Sequence, residues 1–98
     1  MSLSRCFELL DEVKDSGPKW DKARTNLRVF LGTYMDILPE VGTERGRLRF
    51  CLLLKDTGPL EEQCIVYFRK HKEHLNEFQG LLTQMIGVFK HGDTPKTN

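Results

Sequence analysis

From residue 60 to residue 89 an apolar or near-apolar side chain recurs every three or four positions: Leu60, Cys64, Phe68, His71, Leu75, Phe78, Leu82, Met85 and Phe89. From Cys64 onward the steps alternate between four and three and average about 3.5, the period of helices that pack lengthwise by inserting knobs into holes. The spacing predicts one long helix over residues 60–90, with a break near residues 74–77 as the alternative. Unbroken, at about 1.5 Å per residue, it would run roughly 45 Å. Gly92 is the expected stop, and the polar residues 93–98 are expected to fray as a disordered tail.

Three further helices are predicted ahead of it. Leu3, Cys6, Phe7, Leu10 and Val13 share one face, with Glu8, Asp11, Glu12 and Asp15 turned away, which gives a first helix over about residues 2–15. Ser16-Gly17-Pro18 ends it. Pro18 suits a first helical turn, and Trp20, Ala23, Leu27, Phe30, Leu31, Tyr34 and Leu38 form the inner stripe of a second helix, closed by Pro39. Gly32 inside it implies close packing or a bend. Thr43 is placed to cap a third helix from Glu44. There Leu48, Phe50, Cys51, Leu52, Leu53 and Leu54 cover nearly the whole circumference, so this helix is expected to be the buried centre. Lys55-Asp56-Thr57-Gly58-Pro59 is the clearest break in the chain, with Glu61 and Glu62 complementing the dipole of the helix that follows. The expected fold is all-α: a small bundle of four or five helices, a single domain over residues 1–92, with a long C-terminal helix.

Composition fits that picture. A chain of 98 residues suffices for one core and is too short for two of ordinary size. Hydrophobic residues at 39% and charged residues at 30% are ordinary for a globular domain. A net charge of +1 supplies no global field that would draw the chain onto nucleic acid or an anionic bilayer. Both are set aside as general partners. Cys6, Cys51 and Cys64 each fall among apolar residues of a helical pattern and read as reduced core thiols. The longest wholly apolar run, residues 50–54, is far below the roughly 20 residues of a membrane span, and no basic segment followed by an apolar one opens the chain. The expected compartment is the cytosol, with the nucleus as the alternative.

Catalytic and metal chemistry find little footing. Cys64, His71 and His74 are the one cluster resembling metal ligands, but Cys64 and His71 stand two helical turns apart, roughly 10 Å, too far for one zinc ion. His71 reads instead as a seam residue with its ring on the core and a nitrogen near water. No nucleophile elbow, paired catalytic carboxylates or phosphate loop is found, since residues 42–46 lack the required lysine and hydroxyl pair. No enzyme, cofactor or metal is expected. Two basic stretches remain, Arg45, Arg47 and Arg49 on the third helix and Arg69, Lys70 and Lys72 with His74 further on. Charge runs on helices are usually solvated faces; phosphate, nucleic-acid or acidic-protein binding is the alternative.

One feature points to a partner. With Phe68, Leu75, Leu82 and Phe89 at position a, Gly80 and Gly87 both fall at f, opposite the seam, where Glu or Lys is usual. With Thr83 between them they make a stripe of small residues that another backbone could approach closely, flanked by Leu81, Ile86 and Val88. The first and second helices could cover this face. Otherwise Gly80, Leu81, Thr83, Ile86 and Gly87 form a binding surface for a helix or a protein partner, or for a second copy of the chain.

Between residues 42 and 78 the runs Gly42-Thr-Glu-Arg-Gly-Arg-Leu-Arg-Phe-Cys-Leu-Leu-Leu54, Pro59-Leu-Glu-Glu62 and His74-Leu-Asn-Glu-Phe78 resemble the middle of a RUN domain. That helical adaptor family engages small GTPases or trafficking and motor proteins. The resemblance implies that Gly46-Arg47 matches the family's Gly-Arg pair, residues 48–54 its buried helix and residues 75–78 its Leu-x-x-Phe-like step. It departs in the aromatic positions after the Gly-Arg pair and in length. The expected function is therefore a non-catalytic adaptor or scaffold module in signalling or trafficking that binds another protein, such as a small GTPase or an amphipathic helix.

Overall fold

The computed structural model describes residues 2–90, so the expected tail at 93–98 lies outside them. Breakers and caps set the helix boundaries. α1 (Ser2–Glu12) buries Cys6, Leu9 and Leu10, and it ends at Glu12, short of the expected Asp15, while Val13 stays buried in the connection. α2 (Pro18–Ile37) opens on a proline, whose missing amide costs nothing in a first turn. A 3-10 turn at Leu38–Glu40 holds Pro39 and leads to Thr43, which caps α3 (Glu44–Thr57). The Thr43 hydroxyl accepts from the Gly46 amide at 2.9 Å and donates to the Glu40 carbonyl at 2.7 Å. Gly58 ends α3 with φ at 82°. L side chains rarely adopt that conformation. α4 (Leu60–Tyr67) and α5 (Lys72–Lys90) complete the chain. Among the described residues there is no strand, and no helix is long and apolar enough to cross a membrane.

The single helix expected over residues 60–90 is two. The chain turns at residues 68–71, ahead of the alternative break at 74–77: Phe68 leaves helical geometry at φ −101°, ψ 21°, and the His71 amide donates to its carbonyl at 2.8 Å. The turn lets α5 fold back on α4, so that Phe68 packs on Phe78 with ring centroids 5.1 Å apart. The rhythm of about 3.5 residues was two apolar stripes in series. Phe68 carries the phase across the turn because it stays fully buried there.

α2 is the centre of the fold. Its inner stripe, Trp20, Ala23, Leu27, Phe30, Leu31, Tyr34 and Ile37, is buried, and the helix packs against α1, α3 and α4. The Tyr34 hydroxyl reaches α5, donating to the Met85 carbonyl at 3.0 Å. α1, α2, α4 and α5 alternate in direction: Trp20 at the start of α2 stacks on Tyr67 at the end of α4, and Glu12 near the end of α1 meets His74 near the start of α5. α3 lies across the α2 and α5 side of this bundle. Phe50 stacks on Phe89 at 4.8 Å and meets Phe30 and Tyr34 edge-on.

That placement overturns the expected burial of α3. Only Gly46, Phe50 and Leu53 are buried, whereas Leu48, Cys51 and Leu52 are exposed. One neighbouring surface covers one stripe, and an apolar circumference is not itself a cause of burial. Cys51 is therefore not a core thiol; Cys6 and Cys64 are. Close packing around Gly32 is likewise excluded, since a β-carbon there would meet nothing within 4 Å.

Candidate functional site

Leu48 and Leu52 stand one turn apart on α3, and both point away from the buried Phe50 and Leu53 stripe. They are 62% and 52% exposed, and Val29 on the outer side of α2 is 56% exposed. Between the two helices runs an open groove of about 320 Å³, lined by Val29, Thr33, Leu52 and Leu53 together with Arg49 and Asp56. Such groups of half-exposed aliphatic side chains along one groove are characteristic of helix-binding surfaces.

The basic residues of α3 are tied locally. Glu40 holds Arg49 at 3.1 Å and Arg45 at 3.7 Å, and Arg47 is half-buried. They do not form a free cationic array. Arg69 and Lys70 lie in the α4–α5 turn and Lys72 begins α5; all three are exposed and form no ion pair with a described carboxylate. The two stretches occupy different parts of the surface.

The small-residue stripe of α5 is only partly assembled. Gly80 and Thr83 are exposed, and a β-carbon on Gly80 would meet nothing within 4 Å. The Thr83 hydroxyl is spent within its own helix, donating to the Gln79 carbonyl at 2.9 Å. Gly87 is half-buried, and Leu81 and Ile86 lean on the core. Thr83 and Ile86 border a shallow hollow of about 410 Å³ with Leu60 and Leu82; Gly80 and Leu81 stand outside it.

The histidines face carboxylates. His74 Nε2 lies 2.7 Å from Glu12 Oε1, and His71 Nε2 lies 3.6 Å from Asp15 Oδ2, with neither of the latter two atoms reaching solvent. The His71 nitrogen expected near water points at Asp15 instead. Among the described residues no three His, Cys, Asp or Glu side chains are placed to hold a metal ion. Burial pushes the Cys6 thiol up to about 11 and the Cys64 thiol up to about 12, so neither is a nucleophile at neutral pH.

The α2–α3 groove was missed by reading apolar residues as core. A signal for it did exist. Leu48 and Leu52 share a helical face with Arg45 and Asp56, and a stripe ending in charge at both ends is rarely buried. No protein-family model, curated protein or solved structure matches the chain.

Proposed function

We propose that this chain is a non-catalytic protein-binding module, an intracellular adaptor or scaffold of the kind the RUN-domain resemblance implies, and that it receives an amphipathic helix of a partner protein in the α2–α3 groove. The observation that carries this reading is the exposure of Val29 and Leu52 in one groove that Arg49 and Asp56 also line, with Leu48 exposed one helical turn from Leu52. Burying a Leu or Val fully is worth about 1.5–3 kcal/mol, so three half-exposed ones offer on the order of 3 kcal/mol to a partner. Arg49 and Asp56 would set the orientation of the incoming helix through opposite charges. A surface of a small GTPase is the other partner the resemblance supports. The cytosol or nucleus suits it, because buried thiols persist there without pairing.

A second reading has its own observation. The open space beyond Gly80 leaves the α5 stripe accessible, so the C-terminal helix would serve as the docking element through Gly80, Leu81, Thr83, Ile86 and Gly87, for a partner helix or a second copy. Photo-crosslinking separates the two. A photoreactive residue placed at Leu52 is expected to capture a different protein in cells, whereas one at Gly80 captures nothing beyond the level of a control at Asp21. Crosslinks from position 80 alone would move the interface to α5, and crosslinks between copies would make the chain a dimerisation module.

A further inference from the structure

α1 carries its acidic residues at the end where a helix holds them least well. Asp11 and Glu12 lie in its last turn, which has no basic residue, and Asp15 follows in the connection to α2. The carbonyl end of a helix is its negative pole, so carboxylates there need cations opposite them. Two of the three meet histidines. Glu12 Oε1 lies 2.7 Å from His74 Nε2 at the start of α5, and Asp15 Oδ2 lies 3.6 Å from His71 Nε2 in the turn before it. The first contact is a hydrogen bond that the imidazole donates when it holds its proton on Nε2, since a carboxylate only accepts. The second is too long for a hydrogen bond. Both of its atoms are cut off from solvent and have no other partner. A neutral His71 therefore leaves two buried polar atoms unsatisfied, which costs stability. An imidazolium turns the same contact into an ion pair, at a separation where charge attraction in a partly buried place is strong.

The surrounding charges pull in both directions. Arg5 reaches Glu12 at 3.5 Å but makes its shorter contacts with Glu77 and Glu8, and Asp11 is taken by Arg28. Glu73 and Glu77 on α5 also favour charged histidines. Against them stand Arg69, Lys70 and Lys72 around the turn, Lys14 and Arg24 at the α1–α2 corner, and each imidazole's effect on the other, with ring centres 5.7 Å apart. The five cations are exposed, and such charges act through water and are screened over about 8 Å at physiological salt. Glu12 and Asp15 touch the rings directly, so the carboxylates prevail. We propose that the His71–Asp15 and His74–Glu12 contacts form a pH-sensitive latch, which fastens the end of α1 to the start of α5 in mild acid and slackens as the histidines lose their protons. Folding takes up protons at these rings, because the unfolded chain offers them no facing carboxylates. The stability that the latch contributes is thus present in mild acid and lost as pH rises, over the range in which histidine changes charge.

Amide hydrogen exchange of the full chain reads the latch, because α1 packs on α2 and α5 and its local opening is what the latch opposes. Exchange is measured at about pH 5.5 and about pH 8, either side of the histidine range, and corrected for the intrinsic rate at each. Protection of the α1 amides is expected to fall severalfold at the higher pH, relative to that of α2. The His71→Gln, His74→Gln variant keeps a neutral donor near each Nε2 position and removes the titration, so its α1 protection is expected to stay level relative to α2. If that variant does not fold, Glu12→Gln with Asp15→Asn, which removes the facing charges, should flatten the response instead. The parent also carries an independent check in its imidazole nitrogen shifts, which at about pH 8 should place the His74 proton on Nε2. Equal α1 protection at the two pH values, protection that rises with pH, or a response as large in the variants as in the parent overturns the latch.

Discussion

Phe50 and Leu52 stand two positions apart on α3, and only Phe50 reaches the core. Phe50→Ala removes a ring stacked on Phe89 and is expected to cost about 3–5 kcal/mol in denaturant unfolding. Leu52→Ala should cost less than about 1 kcal/mol, because a half-exposed side chain leaves no cavity. The reverse order would place α3 at the centre after all. The glycines divide in the same way. A β-carbon on Gly46 would lie 2.1 Å from the Glu40 carbonyl oxygen, and backbone cannot yield as a side-chain end can. Gly46→Ala is therefore expected to destabilise by about 1–3 kcal/mol. Gly32→Ala, into open space within a helix, should stabilise by about 0.5–1 kcal/mol. Both are read from the midpoint of thermal or urea unfolding. Thiol reactivity checks burial independently: a thiol reagent at neutral pH should modify Cys51 alone in the native chain, since Cys6 and Cys64 are enclosed and held protonated. Rapid modification of Cys64 in the native chain would contradict the packing of α4.

The seam between α1 and α5 is held by charge as well as by packing. Arg5 grips Glu77 with two hydrogen bonds, of 2.7 and 3.0 Å, and this pairing holds the Glu77 carboxyl below the usual glutamate range. A carboxylate with a depressed folded pKa contributes stability above the unfolded pKa, and the contribution is lost as pH falls through the folded one. Glu77→Gln should thus lower the melting temperature slightly at pH 7, and the difference from the parent should vanish in acid, below the folded pKa of Glu77. The effect is small because both partners are exposed to solvent. A gap of the same size at both pH values would show that the pair contributes nothing.

Helix boundaries set by proline, glycine and Thr43 were legible in the sequence, because those residues act locally. The turn at residues 68–71 was not. It holds neither glycine nor proline, and Phe68 keeps the apolar rhythm while its backbone leaves the helix; only the docking of α5 on α4 demands the reversal. The burial of α3 was illegible for a related reason. Its apolar circumference shows which side chains could be buried, but which stripe is buried depends on where α2 and α5 lie. Of the two glycines placed opposite the seam, Gly80 is exposed and Gly87 half-buried, while the α2–α3 groove needed two helices whose mutual placement periodicity does not encode.

At the scale of the molecule, α1, α2, α4 and α5 form the bundle, and α3, laid across it, exposes Leu48 and Leu52 next to Val29 of α2. The central claim is that this face is where a partner protein docks. The most direct measurement replaces Leu48 and Leu52 together by Glu, verifies an unchanged circular dichroism spectrum and melting temperature, and compares by quantitative mass spectrometry the proteins that co-purify with the variant and with the parent. About 1.4 kcal/mol corresponds to a tenfold change in affinity, so losing most of the roughly 3 kcal/mol held in this face should deplete its specific partners tenfold or more. A folded variant that retains those partners at parental levels would show that the α2–α3 groove is not the docking site.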